Sequence, residues 1–144
     1  MSYKEWFDSH AKKHRQIVDK LLSLNMGKDE IIEYFCYENM VKAQKEFCPL
    51  YKENKKCHEM KNLNCYLCAC PYFRFDDRGL EIQNGYKVLS RCEINNGDTV
   101  IHNNNIHHDC SKCTLPHHKN YIKKVFDFDW KHIMQNCSPD ENKS

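Results

Sequence analysis

The run Asn64-Cys65-Tyr66-Leu67-Cys68-Ala69-Cys70-Pro71 constrains this chain more than any other feature. Buried free cysteines behave as small hydrophobes, but thiols at such local density are poorly explained by packing alone. Thiolates are strong donors to zinc and iron, and two of them separated by two residues can project from one tight turn onto one ion. The third thiol is harder to place. Residues two apart in extended chain point the same way, yet their Cα atoms lie roughly 6.5 Å apart. Cys68 and Cys70 therefore serve one ion only if the backbone kinks between them. Otherwise they serve two neighbouring ions or opposite faces of a cluster.

The rest of the chain supplies partners. Ten cysteines in 144 residues is about seven per cent, close to the range of a cysteine scaffold. Cys48 precedes the pair Cys57-His58, Cys92 stands alone, and Cys110-x-x-Cys113 is followed by Pro116-His117. The N-terminus has no apolar signal core, and no apolar run approaches the roughly 18 residues that span a bilayer. The expected location is the cytoplasm, where thiols stay reduced and a cysteine cluster points to metal rather than to disulfides. The candidate ligands are Cys48, Cys57, His58, Cys65, Cys68, Cys70, Cys92, Cys110, Cys113 and His117. They exceed one tetrahedral site, and two four-coordinate zinc sites with one or two spare residues is the simplest arithmetic. A four-cysteine iron–sulfur cluster beside one zinc is the alternative. Mixed Cys/His ligation favours zinc.

The remaining cysteines and histidines read differently. Cys36 and Cys137 fall on apolar helical stripes and are expected in the core. His10 and His14 share a helical face but lack a third nearby ligand, so packing or solvation explains them better than metal. One of His102, His107 and His108 can stand in for a cysteine as fourth ligand. His132 is expected on the surface.

Periodicity gives the frame of an α+β domain. Trp6, Phe7, His10, Ile17, Val18, Leu21 and Leu24 form one helical stripe. Asn25-Met26-Gly27 is a stop, with Gly27 suited to a left-handed C-cap. A second helix is expected from Lys28 or Asp29, carrying Ile31, Ile32, Phe35, Cys36, Met40, Ala43 and Phe47. The pair makes a helical hairpin. Asn84-Gly85 between Leu80–Gln83 and Tyr86–Leu89 predicts a type I′ hairpin, and Asn96-Gly97 predicts a turn before Thr99-Val100-Ile101. A last helix is expected from Pro116 or Asn120 to Cys137, followed by a frayed polar tail. The expected organisation is an N-terminal helical arm (1–46), a cysteine-rich metal-binding core of irregular loops and short hairpins (47–123), and a C-terminal helix packed on it (117–137).

Several motifs together resemble the cysteine-rich small domain family: FCPLY followed by Cys57-His58, then NCYLCACP from Asn64 to Pro71, then Cys92, then DCSKCTLPH from Asp109 to His117. The resemblance covers about Phe47 to Lys123 and leaves out the N-terminal helices. The Cys48–Cys57 gap and the Arg74–Arg91 insert are longer than the family's usual links. The resemblance implies a compact metal-binding prokaryotic domain. Some members are associated with corrinoid metabolism, which would imply a cofactor-handling role.

Other chemistries find little support. Four glycines make neither a GxGxxG fingerprint nor a phosphate loop, and no HExxH is present. Net charge is +2, too small to predict a nucleic-acid binder, although Lys52–Lys61 interleaved with Tyr51, Tyr66, Tyr72 and Phe73 keeps a zinc-stapled nucleic-acid or protein module in view. The sequence thus reads as a metal-binding protein with structural zinc and no membrane span, and not as an enzyme. A metal-dependent enzyme or metal carrier is the alternative.

Overall fold

In the computed structural model, which describes residues 2–110 and 113–138, the chain is α+β with N-terminal helices, small sheets and short C-terminal helices. The expected frayed tail at 139–144 lies outside the described residues. Helix α1 (Tyr3–Ser23) starts at Ser2, whose hydroxyl accepts from the Glu5 N–H. It closes on a Schellman motif, with Asn25 N–H bonded to Leu22 O and Met26 N–H to Leu21 O. Asn25, not Gly27, takes the left-handed conformation there, with φ 64°. Gly27 instead sits extended as the N-cap of α2. The stripe is also rotated from the expected one. Phe7, His10, Ala11, His14, Ile17, Val18 and Leu21 are buried, whereas Trp6 and Leu24 are 40% and 61% exposed.

The second expected helix is broken in two, α2 (Lys28–Tyr34) and α3 (Tyr37–Ala43). The break has a clear cause. Cys36 turns extended, with ψ 142°, and bridges to Asn64. The Cys65 N–H donates to Phe35 O at 2.7 Å and the Tyr37 N–H to Leu63 O at 3.0 Å. Pairing with the cysteine run thus outcompetes helix continuation. A 3₁₀ turn follows at Pro49–Glu53.

The strands are β1 (Phe73–Phe75), β2 (Glu81–Gln83), β3 (Tyr86–Val88), β4 (Ser90–Cys92), β5 (Asp98–His102) and β6 (Asn105–Asp109). β1 and β4 form an antiparallel pair, and the others form a sheet in the order β2-β3-β6-β5, with β3 and β6 parallel. The Asn84-Gly85 hairpin occurs as expected: Gln83 pairs with Tyr86, and the two turn residues have φ 51° and 85°. The turn ahead of β5 falls earlier than expected, at Glu93–Ile94, closed by the Asn95 N–H on Cys92 O at 3.1 Å, and Gly97 forms a bend.

A 3₁₀ turn at Leu115–His117 leads into α4 (Lys119–Val125) and α5 (Trp130–Ile133). The expected single C-terminal helix is interrupted at Phe126–Asp129. Asp127 accepts the Asp129 N–H, Asp129 caps α5 through the Lys131 N–H, and the Tyr66 hydroxyl holds Asp127 O at 2.6 Å. One apolar cluster joins these parts, with Phe7, Val18 and Leu21 of α1, Ile31 and Phe35, Leu63, Tyr66 and Leu67, and Ile122 and Trp130. The cysteine run is therefore clamped from both ends of the chain.

Candidate metal centre

Asn64 is the pivot that sets the cysteine run in place. Its side chain is fully buried, donates to Ile32 O at 2.7 Å and accepts the Tyr66 N–H at 2.9 Å. Its backbone N–H donates to His117 O at 3.1 Å, and its carbonyl accepts from His117 Nδ1 at 2.9 Å. The Asn64 and Pro116-His117 segments, distant in sequence, are thereby locked side by side. The sequence reading places Asn64 at the head of the motif but gives it no role. Its position immediately ahead of Cys65 is the signal that was available.

The His117 lock also decides its tautomer. A carbonyl oxygen only accepts, so Nδ1 carries the proton and Nε2 presents a lone pair. That lone pair lies 3.5 Å from Cys57 Sγ. Burial holds the His117 pKa below its ordinary value, which keeps the ring neutral. His58 repeats the arrangement with its nitrogens exchanged. Its Nε2 donates to Cys110 O at 3.0 Å and its Nδ1 faces Cys57 Sγ at 3.1 Å. Two imidazole lone pairs thus converge on one thiol, which has one proton to offer. A cation satisfies all three atoms at once. Anchoring of the non-ligating nitrogen to a carbonyl is also the usual outer shell of a metal-bound histidine. Among the described residues, Cys57, His58 and His117 are the group whose ligand atoms all lie within 4.8 Å of one another. His117 is buried, His58 half-buried and Cys57 exposed.

Eight of the ten sequence-predicted ligands line one cavity of about 400 Å³: Cys57, His58, Cys68, Cys70, Cys92, Cys110, Cys113 and His117. Its remaining walls are largely apolar, with Trp6, Phe73, Phe75 and Ile94 among them. Cys48 and Cys65 do not line it. They lie behind the Cys57 end, next to the buried Tyr51 ring. The Tyr51 hydroxyl finds no hydrogen-bond partner of ordinary geometry among the described residues. Burial, then the adjacent Cys65, Cys68 and Cys48, pushes the Tyr51 phenol far up.

Cys68 is left-handed at φ 45°, and Cys68 and Cys70 do not share thiol neighbours. Burial raises the Cys68 thiol well above its ordinary range, and nearby Cys65, Cys48 and Cys57 add to the effect. Burial pushes Cys70 up to about 11, and its thiol neighbours are Cys113 and Cys92. Cys110 is pushed up to about 12, first by burial and then by Cys70, Cys113 and Cys92.

The remaining candidates have other work. His107 Nδ1 bonds the Tyr3 hydroxyl at 2.6 Å, and His108 Nε2 donates to Asn96 O at 2.9 Å. Cys137 is buried, as expected, and its thiol donates to Cys70 O at 3.4 Å. Cys36 is only half-buried, at the helix break, where the Asn64 amide donates to its sulfur at 3.7 Å. His10 and His14 are packed among aromatic rings, His14 donating to Tyr66 O at 2.8 Å. His132 is exposed and pairs with Asp127. Tyr51 and Tyr66, expected as part of an interleaved basic surface, are core residues at 3% and 0% exposure and offer no stacking face. Asn96, expected only as a turn residue, donates to two cysteine sulfurs.

No protein-family model, curated protein or solved structure matches the chain. What stands is a cysteine-rich α+β protein with a candidate Cys57/His58/His117 metal group. No helix among the described residues is long and apolar enough to cross a membrane.

Proposed function

We propose that the protein is a cytoplasmic zinc-binding protein of the cysteine-rich small domain type, in which metal replaces a hydrophobic core across the cysteine-rich half of the chain. The ligands are drawn from Cys48, Cys57, His58, Cys65, Cys68, Cys70, Cys92, Cys110, Cys113 and His117. The observation that carries this reading is the pair of tautomer-fixed imidazole lone pairs aimed at Cys57. Neutral imidazole with thiolate is a zinc donor set, whereas iron–sulfur clusters are held mainly by thiolates. A structural zinc supplies about 10–16 kcal/mol, comparable to the whole stability of a domain, about 5–15 kcal/mol.

A second reading has its own observation. Cys57, His58 and His117 all face the cavity, and three protein ligands on a cavity wall leave a fourth position for an exchangeable ligand, as catalytic and transfer sites do. This would make the group a site of metal exchange or reaction rather than a purely structural one.

Elemental analysis of the anaerobically purified full chain tests the first reading. The expected result is zinc bound in stoichiometric amount, with a marked fall in melting temperature after chelation. A chain free of transition metal whose melting is unmoved by chelator would refute it. X-ray absorption at the metal edge separates the readings, since an oxygen or nitrogen ligand from solvent beside Cys57, His58 and His117 supports the second.

A further inference from the structure

The same cavity carries a second constellation. Cys70, Cys92, Cys110 and Cys113 all line it, and each is put there by a separate backbone device. The Phe73 N–H donates to Cys70 O at 2.9 Å, closing a turn that leads into β1. β1 then pairs with β4 so that Phe73 stands opposite Cys92. β6 ends at Asp109 and delivers Cys110. The Cys113 N–H donates back to Cys110 O at 2.9 Å, which holds the two cysteines' backbones together.

Asn96 ties these pieces together. Its backbone N–H donates to Cys92 Sγ at 3.5 Å and its side-chain amide to Cys113 Sγ at 3.0 Å. Sulfur is a weak acceptor as a thiol, and two N–H groups directed at two cysteines by one residue are the outer-shell pattern that tunes thiolate ligands. The loop that holds Asn96 is pressed against the chain just ahead of Cys110. A Cβ built on Gly97 would come within 2.7 Å of Asp109 O and 2.8 Å of His108 Nε2. His108 completes the brace by donating to Asn96 O.

We propose that Cys70, Cys92, Cys110 and Cys113 form a second, all-thiolate metal centre, separate from the Cys57/His58/His117 group. It takes a soft-ligand-accepting divalent ion of the zinc class. Cys68 has Cys65, Cys48 and Cys57 as thiol neighbours, whereas Cys70 has Cys113 and Cys92. The four thiols release their protons on binding, and no electron is transferred. The inference rests on the metal-binding reading above and adds the partition of its ligands.

Cobalt(II) loaded anaerobically into the full chain in place of zinc tests the partition. The wild type is expected to hold two cobalt ions, one with the ligand-field and charge-transfer bands of four thiolates and one with mixed nitrogen and sulfur ligation. The Cys92→Ser/Cys113→Ser double variant should lose one ion and the four-thiolate bands. His117→Ala should lose the mixed-ligand bands and keep the four-thiolate ones. A wild type holding one ion that His117→Ala abolishes would leave the metal reading standing and overturn the partition. A double variant that keeps both ions overturns it too, and a wild type that binds no cobalt removes both readings. Should the double variant not fold, Asn96→Ala decides. It retains every ligand and should weaken one ion about 10–100-fold while leaving the other unchanged. Equal weakening of both, or of neither, rejects the second centre.

Discussion

The helical half of the molecule and the sheet half are held by different means. On the helical side Val18, Ile31, Phe35, Met40 and Trp130 are all at or below 1% exposure. That burial removes apolar surface from water, at about 25 cal/mol per Å². On the sheet side every residue of β2 and of β5 is exposed, and Ile82, Val100 and Ile101 face solvent at 71%, 46% and 59%. Phe75, Val88, Cys92 and Ile106 are the buried apolar residues of the six strands, and Phe75 belongs to the core that the helices form, so little apolar burial is left to offset chain entropy of about 1–2 kcal/mol per residue. The cavity that gathers cysteines from both halves sits between them. The contrast shows why thiols are concentrated where hydrocarbon is scarce.

Metal removal should break the comparison most visibly. After chelation, amide exchange across 73–109 is expected to approach that of unfolded chain, while α1 keeps its protection. Uniform loss, or none, would mean that the two halves do not differ in this way. Trp130→Ala probes the other half. It should cost about 3–5 kcal/mol, and it leaves the Leu67 carbonyl without the indole N–H that reaches it at 2.5 Å. Urea denaturation of metal-loaded and stripped protein should show the same loss in each, because the cavity it opens lies in the helical core.

Acid separates the halves again. Burial holds His10 down to about 4 and His14 to about 3, and His10 Nε2 and His14 Nδ1 have no hydrogen-bond partner among the described residues. The unfolded chain binds these protons near pH 6.5 and the folded chain does not, so stability falls as pH drops from about 6.5 toward 4. For His10 the full effect is roughly 3 kcal/mol. Thiolate ligands also release metal in acid, so the decisive quantity is the difference between wild type and His10→Phe. The variant should gain on the wild type by up to that amount across the interval. A gap that does not vary with pH would reject the assignment.

Elements whose determinants are local were legible in the sequence. Asn84-Gly85 specified its hairpin through φ preferences alone, and the apolar spacing of α1 specified a helix. The break at Cys36 was not legible, because it follows from a partner far along the chain, Asn64; the one at Phe126–Asp129 had a local signal in the capping residues Asp127 and Asp129 that went unread, and the distant Tyr66 only adds to it. The metal group follows the same rule. Cys57-His58 and His117 stood out by residue type. That their lone pairs meet at one point depends on Asn64 O and Cys110 O, which no spacing reveals. Asn96 was legible as a turn residue but not as a sulfur partner, since Cys92 and Cys113 lie on either side of the β5–β6 hairpin.

Two smaller effects sharpen where the halves meet. Gly97→Ala places a side chain at φ 123° and against Asp109 O. The expected cost is about 1–3 kcal/mol, confined by exchange measurements to the β4–β6 region. The smallest effect belongs to Asp77. It lies between β1 and β2 on the sheet side, yet its carboxylate accepts the first N–H groups of α1, from Tyr3 at 2.9 Å and Lys4 at 3.0 Å. A carboxylate at a helix N-terminus both pairs orphan donors and meets the positive end of the dipole. Asp77→Ala should therefore cost about 1 kcal/mol in the metal-loaded protein. In stripped protein the sheet no longer holds Asp77 in place, so the substitution should cost little. An equal cost in both forms would mean that the β1–β2 segment stays docked on α1 without metal, and the boundary between the two halves would have to move past it.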